Sequence, residues 1–111
     1  MKIFKEHIHD TVTGNLIVID NRNFNNCVIY QLQHIRKKAK EIITTAAPEY
    51  KQRNAALGLL SDEETQQIKD SIQAIRTISN QKEAEILAVV WDGQESTRAE
   101  ACDIVQRIFW E

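Results

Sequence analysis

Between residues 28 and 46 the apolar side chains keep one rhythm. Val28, Leu32, Ile35, Ala39, Ile42 and Ala46 are separated by four and three residues in turn. That spacing marks one face of a helix, sustained over two heptads and more. The opposite face carries Gln33, Arg36, Lys37, Lys40 and Glu41, as a water-facing side should. A second stripe runs through Ile68, Ile72, Ile75, Ser79, Lys82, Ile86 and Val89 in the same rhythm. It weakens at Ser79 and Lys82. Either a polar gap or a rotation of the buried face onto Ile78 and Ala84 is expected there. Two striped helices joined by a short connection pack antiparallel. The expected seam is Val28, Leu32, Ile35 and Ile42 against Ile68, Ile72, Ile75 and Ile86.

Gly occurs three times and Pro once, so each one is informative about where elements stop. Asn25 or Asn26 is expected to cap the first helix. Pro48 follows Ala47 and ends or kinks that helix, because it has no N–H and crowds the preceding turn. Glu49–Leu57 still reads as helical, and Gly58 suits a helix C-terminus. Ser61-Asp62-Glu63-Glu64 is a capping box whose acids suit the positive end of the helix dipole. The second helix is therefore expected over residues 62–90. Trp91-Asp92-Gly93-Gln94 breaks the pattern, and Thr97-Arg98-Ala99-Glu100 reads as another capping box. Ala101, Ile104, Val105 and Ile108 then line one face of a short final helix. Trp91, Phe109 and Trp110 are candidate interface residues, since aromatic anchors are enriched at binding hot spots. An apolar C-terminal end is expected to be docked, on its own domain or on another subunit.

Ahead of the first helix, Asp10-Thr11-Val12-Thr13-Gly14-Asn15 collects turn formers between Ile3–His9 and Leu16–Asp20, both rich in β-branched residues. This reads as a β-hairpin. A lone hairpin is marginal in water, so a helix or another copy must cover a face. The expected class is mainly α (α+β): an N-terminal β-hairpin, an antiparallel helical hairpin and a short C-terminal helix. Three segments follow: a hairpin arm over residues 1–26, the helical hairpin over 27–90, and the C-terminal loop, helix and apolar end over 91–111.

With 111 residues, 42% hydrophobic and 27% charged, the chain has the composition of one soluble globular domain. Its longest apolar run, Leu16-Ile17-Val18-Ile19, is far below the ~20 residues of a membrane span. The segment Met1–Glu6 lacks the apolar stretch of a secretory signal. A net charge of −2 is not that of a general nucleic-acid binder. The charge is unevenly spread. Residues 1–55 hold nine Lys/Arg against five Asp/Glu, giving +4, and residues 56–111 hold five against eleven, giving −6. A basic half is expected beside an acidic half, within one chain or between chains. Cys27 and Cys102 have no metal or redox spacing and are expected to be reduced, buried and inert.

No catalytic constellation stands out. His7 and His9 share a strand face, but no third ligand follows at zinc spacing. His34 is expected to face solvent. Cys27, His34 and Asp20 form a nucleophile–base–orienter set only on paper, without a local signature. Arg36-Lys37-Lys38-Ala39-Lys40 reads as a solvated helix face rather than a nucleic-acid patch, since no aromatic residues interleave it. Neither an enzyme nor a cofactor or metal site is expected.

Two stretches carry a resemblance. They are Ala47-Pro48-Glu49-Tyr50-Lys51-Gln52-Arg53-Asn54 with Ala55–Leu60, and Ile72-Gln73-Ala74-Ile75-Arg76-Thr77-Ile78-Ser79-Asn80 with Glu83–Ile86. Together they resemble a helical-hairpin module of small tail-associated proteins of bacteriophages and prophages, over roughly residues 35–90. The resemblance implies a structural protein of a tail fibre or baseplate, without catalytic residues. It would act with other phage tail proteins, as a homo-oligomer such as a trimer, in a virion tail assembled in the host cytoplasm. Two alternatives accompany it: a tail-assembly chaperone absent from the virion, and a small phage-encoded inhibitor of a host protein. Neither nucleic acid nor a membrane is an expected partner.

Overall fold

In the computed structural model, which describes residues 2–111, six elements follow one another. Strands β1 (Glu6–His9) and β2 (Leu16–Ile19) precede helices α1 (Phe24–Ala46), α2 (Glu49–Ala56), α3 (Asp62–Leu87) and α4 (Glu95–Arg107). The chain is mainly helical, with an N-terminal two-stranded antiparallel sheet ahead of the helices. None of the helices is long and apolar enough to cross a membrane.

β1 and β2 pair in the register Glu6↔Ile19, His7↔Val18, Ile8↔Ile17 and His9↔Leu16. Their loop is held by the Asp10 carboxylate, which accepts from the Val12 N–H at 2.8 Å, and by Gly14, whose φ of 75° suits a residue without Cβ. β1 is shorter than the sequence suggests. Ile3 leaves the strand and enters the core at 5% exposure.

α1 begins earlier than either expected cap. Asn23 is the N-cap, in extended conformation, and its side chain accepts from the Asn26 N–H at 3.0 Å. All three asparagines are competent caps. Cys27 shares the buried face with Gln31, Ile35 and Ala39, and Phe24 in the first turn packs against the core. Pro48 breaks the path rather than kinking it. The helix closes at Ala47, whose N–H reaches the Ile43 carbonyl at 2.7 Å, and Pro48 opens α2 as its N-cap. α2 ends in a Schellman arrangement. The Leu59 N–H bonds to the Asn54 carbonyl at 2.9 Å, the Gly58 N–H bonds to Ala55, and Gly58 takes a φ of 73°.

At the start of α3, Ser61 Oγ accepts from the Glu64 N–H at 3.1 Å. The Glu64 carboxylate accepts from the Ser61 hydroxyl instead of reaching the backbone. α3 stops at Leu87, three residues short of the expected end, so that Val89 turns onto the core. The second capping box does not form. α4 starts at Glu95 with Gln94 as N-cap, and Thr97 lies inside the first turn. Its hydroxyl donates to Asp92 at 2.6 Å, and the same carboxylate accepts from the Gln94 N–H at 2.9 Å. Asp92 therefore organises this entry. The buried face of α4 is Ala101, Cys102 and Val105, while Ile104 is 40% exposed.

α1 packs along α3, and α4 crosses the first half of α1. The closed core lies where these three meet. Ile3, Cys27, Ile35, Ile86, Cys102 and Val105 form it, ringed by Phe24, Val28, Leu32, Val89, Ile108 and Trp110. Fully burying each aliphatic side chain is worth about 1.5–3 kcal/mol. The other end of the α1–α3 pair extends beyond this core, and the molecule measures 68 × 33 × 17 Å.

Candidate assembly surfaces

The seam residues divide into two groups. Ile35 and Ile86 are fully buried, and Ile75 nearly so. Val28 and Leu32 pack half-buried against the core. Ile42, Ile68 and Ile72 are only half-buried and lie beyond it. Over residues 40–74, Ala47 is the one buried residue. The rotation onto Ile78 and Ala84 does not occur, as both stay exposed. Ser79 stays buried in the seam, lining one groove with Ala39, and Lys82 donates its ammonium to the Phe109 carbonyl at 3.1 Å. The weak point of the stripe is therefore where the C-terminal strap crosses α3.

The strap is docked on its own chain. The Gln31 side-chain amide, buried in α1, donates to the Ile108 carbonyl at 2.9 Å. The Trp110 N–H reaches His34 Nε2 at 3.5 Å, so His34 is half-buried against the strap instead of facing solvent. Trp110 is half-buried on the core, whereas Phe109 is 47% exposed. Trp91 packs on Phe24 with ring centroids 5.6 Å apart and donates its indole N–H to the Gln94 carbonyl. Both tryptophans thus close the core of this chain, and Phe109 is the member of the set left outward.

The linker between hairpin and α1 holds a feature that the sequence pattern did not reveal. Arg22 is 2% exposed, and all five of its N–H donors are used. Nε and Nη2 grip the two Asp20 oxygens at 2.9 and 2.7 Å. Nη1 reaches Asp103 at 2.9 Å and Gln106 at 2.7 Å, and Nη2 also reaches the Ala99 carbonyl at 3.2 Å. The Arg22 hydrogen bonds hold the Asp20 carboxyl down at about 2. Arg98 adds a bond to the Asp20 carbonyl. Gln106 completes the latch by donating to the Ile3 carbonyl. The segment before α1 is thereby fastened to α4. An Asp-x-Arg pair at 20 and 22 was the available signal; its partners lie about 80 residues away and leave no mark in spacing.

The hairpin itself stands clear of this latch. All eight strand residues are exposed, among them Ile8, Leu16, Ile17, Val18 and Ile19 at 38–60%. The Asp10 N–H donates to the Asn15 carbonyl at 2.8 Å, which makes that pair a bonded one. Bonded and non-bonded pairs alternate along an antiparallel ladder. The peptide groups of Leu16 and Val18 therefore point to the open edge of β2, and those of His7 and His9 to the open edge of β1. β1 guards its edge with Glu6, His7 and His9, whereas β2 has no charge, Pro or bulge along it.

The far end of the α1–α3 pair, with α2, forms an arm. It exposes Tyr50, Leu57 and Leu59 at 59–68%. Ile68 lines two flanking grooves, one shared with Leu60 and Glu64 and the other with Gln52 and Lys69.

Cys27, His34 and Asp20 are each engaged with a different partner. Cys27 and Cys102 are free thiols in the core, and burial pushes Cys27 up to about 12. Gln106 donates to Cys27 Sγ, Trp110 to His34, and Arg22 to Asp20, so the three are not assembled as a set. His7 and His9 share an exposed face, and no group of three potential metal ligands occurs among the described residues. In the basic run, Arg36 pairs with Glu83 of α3 at 2.6 Å, the one ion pair between α1 and α3 among the described residues. Comparison with known proteins finds no matching family model, no matching curated protein and no matching solved structure.

Proposed function

We propose that this chain is a non-enzymatic structural protein of a bacteriophage tail, a fibre or baseplate component that assembles with other tail proteins. The observation that carries the assembly reading is an elongated body with unpartnered apolar surfaces at both ends. The β2 edge lies at the end with the closed core, and the arm lies at the other. An open, ungated strand edge is a template for strand addition, in which main-chain hydrogen bonds give affinity and alternate side chains give specificity. Phe109 extends the outward apolar surface near the core end. The phage setting rests on the resemblance of the stretches around Pro48 and Arg76. Exposed strand edges also serve transient capture, which keeps a tail-assembly chaperone as the second reading.

Peptide mass spectrometry on purified particles of the source phage tests this. A fixed copy number per tail is the expected result. Absence from particles, with abundance in infected cells, would overturn the structural reading and favour the chaperone. Salt-sensitive binding to a basic host protein, without any tail partner, would overturn both in favour of an inhibitor.

A further inference from the structure

The arm carries a charge pattern that its own fold leaves unused. On its first limb, residues 36–53, six Lys/Arg stand against Glu41 and Glu49, giving +4. On its second limb, residues 62–72, Asp62, Glu63, Glu64 and Asp70 stand against Lys69, giving −3. Residues 62–72 run beside α2 and Ala46, while Arg36 and Lys40 stand farther along α1, level with Ser79, Asn80 and Glu83, so the arm carries its two signs at different heights. Among the described residues Arg36 is the one cation of the first limb in an ion pair, and it reaches back to Glu83. The acids of the second limb make none; Asp70 accepts only from Gln66 and Glu64 only from Ser61. Lys51 and Glu64 even line one groove without meeting. Between the limbs, Ile42, Ile68 and Ile72 are half-covered, and the tip exposes Leu57 and Leu59.

We infer that the arm is a self-association surface on which a second copy of this chain docks about a two-fold axis. A two-fold axis places the basic limb of each copy on the acidic limb of the other, so both signs are satisfied twice by one contact. The same contact covers the half-buried isoleucines, which supply the apolar centre that an interface needs inside its polar rim. An unrelated partner would have to present both signs at this spacing, whereas a second copy does so by construction. The inference rests on the assembly reading only in treating the arm as a contact surface, and its test on the isolated chain leaves the question of the particle open.

The test is sedimentation velocity of the full chain with two charge-reversed variants. Lys37→Glu with Lys40→Glu and Lys51→Glu makes both limbs acidic; Glu63→Lys with Asp70→Lys makes both basic. All five side chains are exposed, and none belongs to the core or the latch. The expected result is a dimer at low ionic strength that dissociates near 1 M salt, where the screening length is about 3 Å. Each variant alone weakens self-association about a hundredfold, as like charges brought across an interface do. An equimolar mixture of the two variants restores the dimer, an outcome that only folded chains can give. A wild-type chain that stays monomeric at every salt concentration, variants that associate as the wild type does, or a mixture that stays monomeric while both variants keep native circular dichroism, would each overturn the inference.

Discussion

The two ends of this molecule are built from the same heptad rhythm and reach different states. At the core end, Ile35 and Ile86 are sealed under α4 and the strap, and every donor of the buried Arg22 is used. In the arm, Ile42, Ile68 and Ile72 hold equivalent stripe positions, yet only half their surface demand is met. The difference is a third layer. Two helices bury a seam only where something covers the flanks of that seam, and here α4 and the strap cover one half alone. A helical stripe therefore says which face wants burial, not whether the chain itself supplies it.

The largest effect should fall on the latch. Arg22→Ala leaves Asp20 and Asp103 without their buried cation and should cost about 3–5 kcal/mol, read as a lower urea midpoint. A loss below about 1 kcal/mol would mean that the latch is dispensable and that the contrast between the ends is weaker than drawn. Next, Ile35→Ala should cost about 2–5 kcal/mol, as buried large-to-small changes do. Ile68→Ala should cost about 1 kcal/mol or less in the dilute chain, since its side chain is already half in water. Equal costs at the two positions would break the comparison.

A smaller effect is set by pH. The Asp20 carboxyl sits at about 2 in the folded chain against 3.8 ordinarily, chiefly through its hydrogen bonds to Arg22. A depressed carboxylate stabilises the fold above its unfolded pKa, and that contribution is lost as pH falls through the folded value. Stability should therefore decline between about pH 4 and pH 2. Asp20→Asn should flatten that decline, which urea titrations across this range would show.

Much of this architecture could be read from residue spacing. The stripes, an interruption at Pro48 that could be kink or break, the helix-ending glycine at 58 and the Ser61 cap are local, and local chemistry decides them. What escaped reading was long-range or competitive. Asn23, not Asn25 or Asn26, caps α1, and Phe24 thereby joins the first turn and packs on the core. Thr97 lies inside the first turn of α4, where its hydroxyl donates to Asp92 and to the Gln94 carbonyl instead of capping. Cys102 replaced Ile104 on the buried face of α4, since the latch through Asp103 and Gln106 fixes how that helix is turned. His34 met the strap, which no periodicity on α1 announces. The surfaces followed the same division: the apolar β2 run was visible in the sequence, but its exposure depends on how the hairpin sits in the fold.

Hydrogen exchange, measured residue by residue at two protein concentrations, tests the central claim that one end is closed and the other waits for a partner. In dilute solution, amides of α4 and of α1 around Ile35 should be the slowest. Those over residues 40–72 should exchange at least about tenfold faster, as weakly covered segments do, and should slow as concentration rises. Uniform protection along α1 and α3 in the dilute chain, unchanged by concentration, would contradict it.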